Sequence, residues 1–261
     1  RLFNELFGYF HIAGIPIKDW ILPIGISFFT FRSISYLIEA YRHPELVQKN
    51  VLDLGLYIAF FPQLLAGPIA RYDFFHEQIA SRTCNATSFT QGMERFIIGL
   101  SKKVLIADVL GQVVDGIFDL PFQSVSTYYT WIAALAYTLQ IYYDFSGYSD
   151  MAIGIAQMLG FKTMENFNYP YISRSITEFW RRWHISLSTW FRDYLYIPLG
   201  GDRKGGYHTI KNIMVVFLVT GLWHGASLSF MFWGLGHGVM IAAERLFGKN
   251  TGTEMNPVSS L

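Results

Sequence analysis

The sequence predicts an all-α, polytopic integral membrane protein, and three observations carry that expectation. Charged residues make up 15% of the chain, with 20 Lys+Arg against 19 Asp+Glu in 261 residues, where a soluble domain carries about 25%. Hydrophobic residues reach 52%, aromatics 18% and mean hydropathy +0.28, which is too apolar for a disordered chain. Apolar runs recur between polar loops, close to the length of about 20 residues that spans a bilayer core of about 30 Å. A formal net charge of +1 leaves no cationic excess to neutralise a phosphate backbone, which argues against nucleic acid as a partner. The single cysteine, Cys84, excludes an intrachain disulfide framework.

The chain starts at Arg1 without a signal peptide pattern and reads as a fragment of a longer chain. Residues 1–247 read as one membrane domain and residues 248–261, polar and rich in Gly, Asn and Pro, as a loop or tail. Taken in order, the run at 21–38 is interrupted only by Arg32 and small hydroxyl residues. The run at 54–69 contains Pro62 and Gly67-Pro68, which predicts a kinked or broken helix. Residues 96–117 carry Lys102, Lys103 and Asp108, too many charges for a lipid-facing span, and read as interfacial, re-entrant or buried. The run at 128–143 meets Asp144-Phe-Ser-Gly-Tyr-Ser-Asp150, which reads as a helix break at membrane depth. The last pair, 212–227 and 230–247, is rich in glycines that permit close helix packing. This makes five or six candidate spans.

Between them, Ser175 and Glu178 have capping-box spacing, so a helix is expected to start at Ile176 and run past Trp190 until Pro198-Leu-Gly-Gly. On it Trp180, His184 and Leu187 would share a face, and Glu178 and Arg182 would pair four residues apart. Lys162, Arg174, Arg181, Arg182, Arg192, Arg203, Lys204 and Lys211 all fall in this region, which by the positive-inside rule faces the cytoplasm.

Of seven histidines, His184, His224 and His237 lie in strongly apolar or aromatic context, where an ionisable group is either functional or a neutral ring satisfied by a carbonyl. His224, between Trp223 and Gly225, is the better candidate, because the glycine admits a substrate or a second backbone. As a buried neutral base it would take a proton from a hydroxyl nucleophile, while His184 would orient the acceptor or stabilise the oxyanion. Haem ligation by His224 and His237 is disfavoured, because 13 residues of separation point them to different sides of a helix. No nucleophile elbow, P-loop or zinc-type cluster occurs. Asp144 and Asp150 either form a proton or ion path, as in a transporter, or cap the two half-helices or pair with Lys102 or Lys103. Arg32 is either a buried structural cation or an anion contact. Trp180, Trp183, Trp190, Trp223 and Trp233 either line a cavity for an acyl or carrier group or serve as interface anchors or core.

The string EFWRRWHISLSTWFRDYLYIPLGG at 178–201, followed by GLWHGAS at 221–227, resembles the membrane-bound O-acyltransferase family, in particular its alginate O-acetyltransferase-like branch. PIGISFFTF at 23–31, FFPQLLAGPIARY at 60–72, GLSKKVLIAD at 99–108 and YYDFSGYSDMAIG at 142–154 extend the resemblance in the family's order. A related branch that transfers D-alanine toward teichoic acids is similar at 166–171 and 183–187, whereas DYLYIPLGGDRKGG at 193–206 resembles the polysaccharide-acetylating branch more. The resemblance implies a multi-helix bundle with broken or re-entrant helices around a tunnel, in a multi-pass protein of the bacterial inner membrane whose first spans are missing here. It implies a cytoplasmic acyl thioester donor such as acetyl-CoA, and no bound cofactor or metal. The acceptor would be an exported polysaccharide such as alginate, or a periplasmic acetyltransferase acting as relay. His224 maps to the family's catalytic histidine and His184 to a second histidine of the tunnel, with Trp183, Trp223, Asn168, Arg182 and Ser186 as tunnel candidates.

Overall fold

A computed structural model describes residues 23–247 together with Asn4, Phe7, Gly8 and His11; the tail expected at 248–261 lies outside the described residues. Every regular element among the described residues is helical, as expected. The chain forms two compact units, Ile24–Phe167 and a second that runs from Asn168.

In the first unit, helix α1 (Ile26–Arg42) is followed by α2 (Val51–Ile58), which starts where the Asn50 side chain accepts from the Leu52 N–H at 3.0 Å. The helix then stops, as Pro62 and Gly67-Pro68 predicted, and passes into a 3₁₀ turn at Phe61–Gln63. Arg32 of α1 satisfies the carbonyls that this break exposes. Its guanidinium donates to the Tyr57 carbonyl at 3.0 Å and the Phe60 carbonyl at 3.4 Å, and to Gln63 Oε1 at 2.6 Å. It is therefore a structural cation, holding orphan acceptors at a helix end. Helix α3 (Tyr72–Ser81) closes a core of Tyr57, Phe60, Ala70, Tyr72, Phe75, Ala156 and Phe161.

Helix α4 (Ala86–Ser101) continues through a π-helical segment, Lys102–Ala107, into α5 (Asp108–Phe118). Helix α6 (Thr127–Met158) runs 32 residues without interruption, which corrects the break expected at 144–150. The local sequence is rich in helix-weakening residues, but tertiary partners hold it in place. A Cβ on Gly147 would lie 2.8 Å from the Gly99 carbonyl oxygen, and one on Gly99 would lie 2.5 Å from that of Gly147, so α4 and α6 cross in backbone contact. Gly92 and Gly154 repeat the arrangement two turns away. Asp150 pairs with Arg95 at 2.7 Å and with Lys102 at 2.6 Å, and Asp144 pairs with Lys103 at 2.6 Å. The acidic residues thus take the ion-pairing role, and the charges at 102–108 face the carboxylates of α6 and of Asp108 itself.

In the second unit, α7 (Ile176–Arg182) starts as expected, with Ser175 Oγ accepting from the Glu178 N–H at 3.0 Å. The Glu178–Arg182 pair closes at 2.9 Å. The helix does not run on past Trp190. It breaks at Trp183-His184, restarts as α8 (Ile185–Phe191) and widens into a π-helical segment, Arg192–Tyr196, so Trp180, His184 and Leu187 do not share one helix face. Turns with positive φ at Gly200 and Gly201 end this path where Pro198-Leu-Gly-Gly predicted a stop. Helices α9 (Gly206–His224) and α10 (Leu228–Phe247) form an antiparallel pair. A Cβ on Gly221 would meet the Phe230 carbonyl oxygen at 2.4 Å, and one on Gly234 that of Phe217 at 2.3 Å.

No helix among the described residues is long and apolar enough to cross a membrane. The apolar runs are diluted by Tyr, Ser, Thr, Gly and paired charges, and the first run yields only the 17-residue α1. The outer faces nonetheless carry large exposed apolar side chains, among them Ile97, Leu105, Val109, Trp131 and Leu135 on the α4–α6 layer, more than isolated surface residues would account for.

Candidate active site

His184 sits at the break between α7 and α8 with φ 44° and ψ 53°, a left-handed conformation that costs a non-glycine residue about 1–2 kcal/mol. Such strain persists only where the surroundings over-determine it, and it clusters at functional sites. Here it ends α7, caps α8 through the carbonyl that accepts from the Ser188 N–H at 3.0 Å, and puts the ring inside the unit, where the residue is 2% exposed. Burial first, and the neighbouring His224 second, push its pKa down, so the ring is held neutral.

His224 ends α9. Its ring meets Trp223 at 4.6 Å between centroids, Trp233 at 5.0 Å and Phe230 at 6.2 Å, while its outer side is exposed. This corrects the expectation of a buried His224: in this pair the enclosed histidine is His184, because a helix end presents its last ring outward. Gly225 beside it admits neither a substrate nor a second backbone in this structure but the Phe230 ring, from which a Cβ there would lie 2.4 Å. Trp223 joins the two histidines, with its ring 6.3 Å from that of His184.

The other tunnel candidates are placed as follows. Ser186 is buried in the first turn of α8. Trp183 stacks on Phe179 at 5.6 Å and 16° and is half-buried. Asn168 is exposed; its backbone N–H donates to the Arg182 carbonyl at 2.9 Å, and its carbonyl accepts from the Arg182 guanidinium at 3.1 Å. Arg182 is therefore engaged by Glu178 and by this loop. One feature carries no signal in the sequence. Glu244 of α10 accepts from the N–H groups of Ile176 and Thr177 at 2.8 and 2.9 Å, capping α7 from 67 or more residues away, a pairing with no local sequence signal. A small apolar pocket, open to solvent in part, lies among α7 to α10, lined by Trp180, Leu187, Phe191, Val216, Phe217 and Ile241, which is the cavity-lining role read for Trp180.

Chemically, the site offers two imidazoles around one indole, with apolar walls and no cluster of three metal-ligating side chains among the described residues. That arrangement suits proton transfer at a hydroxyl or a carbonyl. The sequence is 52% identical to the probable alginate O-acetylase AlgI of Pseudomonas putida over 256 residues, covering 98% of this chain and 52% of that protein. It is 39% identical to the peptidoglycan O-acetyltransferase of Helicobacter pylori over 258 residues, covering 88% of this chain and 49% of that protein. It is 34% identical to the teichoic acid D-alanyltransferase of Bacillus subtilis over 252 residues, covering 90% of this chain and 62% of that protein. The chain thus spans about half the length of the alginate and peptidoglycan relatives. The model of the MBOAT, membrane-bound O-acyltransferase family matches residues 23–255, and the chain belongs to that family.

Proposed function

We propose that this chain carries the reaction centre of an O-acyltransferase that moves an acetyl or other small acyl group from a cytoplasmic thioester, such as acetyl-CoA, to hydroxyls of an exported polysaccharide. The observation that carries the reading is the pairing of His184 and His224 across Trp223 in one compact unit, on the two motifs that point to this family. Relatives named for alginate and peptidoglycan O-acetylation support a polysaccharide acceptor, and identity of 52% to the former against 34% to a teichoic acid D-alanyltransferase favours acetyl over D-alanyl transfer. The exposed apolar faces support a multi-pass protein of the bacterial inner membrane, enclosed by further helices of the full-length protein.

In this reaction a ring nitrogen of His224 takes the proton of the acceptor hydroxyl as its oxygen attacks the thioester carbonyl. His184, neutral and fixed by the break, donates a hydrogen bond to the tetrahedral oxyanion. Collapse breaks the carbon–sulfur bond, and the imidazolium of His224 returns the proton to the departing thiolate, giving an ester and a free thiol. Trp223 holds the two rings in register, while Trp183 and Ser186 flank His184 along the substrate path. Transport through a broken helix loses its basis, because α6 is continuous and its carboxylates are paired.

The test is the acetyl ester content of exported polysaccharide in a deletion strain carrying the full-length protein as wild type, His224→Ala, His184→Ala or Asp144→Asn at equal membrane abundance. Esters are expected to vanish with His224→Ala, fall with His184→Ala and persist with Asp144→Asn. Normal esters with His224→Ala, or loss only with Asp144→Asn, would overturn the assignment.

A further inference from the structure

The proposed chemistry leaves a third histidine of the second unit without a task, and its surroundings are specific. His237 is half-buried on α10, one turn beyond Trp233. Its Nδ1 accepts a hydrogen bond from the indole N–H of Trp180, on α7, at 3.4 Å, with the rings 5.2 Å apart and at 88°. An accepting Nδ1 in a neutral ring requires the proton on Nε2, so this bond sets both the tautomer and the ring plane. Phe217 of α9 lies against the same imidazole at 6.4 Å and 26°. His237 is thus gripped from α7 and α9 while standing on α10.

What it grips in turn is Trp233. The indole of Trp233 lies 4.8 Å from His237 on one side and 5.0 Å from His224 on the other, at 80° to the His224 ring. It is 39% exposed, so its ring contacts with His237 and His224 lie at the edge of the packed unit. It also meets the Trp180 ring at 6.0 Å and 73°. The wall against which His224 rests is therefore held by a Trp180–His237 bridge. Since proton transfer requires the base to stay within hydrogen-bond reach of its hydroxyl, a loosened wall lowers the rate of the chemical step with little change in substrate capture.

We infer that His237 is a positioning residue of the acyltransferase: through its hydrogen bond from Trp180 it fixes Trp233, and Trp233 fixes the ring of His224. The inference rests on the role proposed for His224.

The experiment uses the full-length protein in membranes, with acyl thioester and acceptor varied to separate kcat from KM, and with thermal midpoints measured for each variant. His237→Phe keeps an aromatic ring but removes the acceptor, and is expected to lower kcat about tenfold with KM within about twofold. His237→Asn places a carbonyl oxygen where Nδ1 stood and is expected to restore most of that loss. Trp180→Phe is expected to match His237→Phe, and the double variant to be no worse than either, because both remove one bond. Equal rates for His237→Phe and wild type, equal losses in the Phe and Asn variants, additive losses in the double variant, or losses that only follow the thermal midpoint would each overturn the inference. His224→Ala is run alongside: if it is inactive while His237→Phe is normal, only the positioning role falls. If His224→Ala is active, the functional reading and this inference fall together.

Discussion

The two units use the same device to bring helices together but fill the space between them differently. In Ile24–Phe167, Gly92, Gly99, Gly147 and Gly154 let α4 and α6 touch backbone to backbone, and in the second unit Gly221 and Gly234 do so for α9 and α10. Around the first crossing, polar side chains are ions in pairs: Arg95, Lys102 and Asp150 form one cluster, and Lys103, Asp108 and Asp144 another. Around the second, the titratable side chains are imidazoles among indoles and phenyl rings. A salt bridge commits both partners, because removing either leaves a charge exposed to low dielectric. An imidazole against an aromatic ring, as His224 is against Trp223 and Trp233, is positioned without a charged partner. Under the proposed function, the first unit does scaffold work and the second carries the chemistry.

The largest expected effect tests the shared device. Gly99→Val and Gly221→Val each drive a side chain into a carbonyl oxygen of the facing helix, at 2.5 and 2.4 Å for the first carbon alone. Each is expected to cost about 3 kcal/mol, enough to deplete folded protein from membranes, as measured by abundance and thermal midpoint. Unchanged midpoints would mean that the helices do not cross so closely.

A smaller effect tests the division of labour. Asp150→Ala leaves Arg95 and Lys102 without their shared carboxylate. Because both cations are part-exposed, and Arg95 keeps Glu165, the expected cost is about 2 kcal/mol in unfolding experiments. The protein that remains folded is expected to keep its kcat. Asp144→Asn, at a half-exposed site where Lys103 retains Asp108, is expected to cost less than about 1 kcal/mol. Loss of kcat in folded Asp150→Ala protein would break the comparison.

The smallest effect concerns pH. The Arg174 backbone N–H first, and Arg182 second, hold the Glu178 carboxyl below its ordinary range. Its folded pKa is thus lower than its unfolded one, so its contribution is present above the unfolded value and is lost as pH falls through the folded one. Wild type is expected to lose slightly more stability than Glu178→Gln between about pH 6 and pH 3, read as the difference between their unfolding midpoints.

Local signals were legible. The Ser175 cap, the Glu178–Arg182 pair, the stop after Tyr196 and the interruption near Pro62 follow from spacing or from single residues that cannot continue a helix. The break at His184 was not legible, since no Gly or Pro marks it; only the surrounding unit holds a histidine in the left-handed region. The reverse error arose at 144–150, where Asp, Ser and Gly signal a break that partners on α4 remove.

The sequence by itself determined an all-helical chain, the family to which it belongs and the two histidine motifs, because these reside in periodicity and in contiguous residues. Tertiary structure alone decided which helices stay whole, which acidic residues are spent in ion pairs, that His184 rather than His224 is enclosed, and that His237 reaches Trp180 across 57 residues. Those outcomes depend on groups brought together from distant parts of the chain, where a partner's charge, indole N–H or missing side chain overrides local preference.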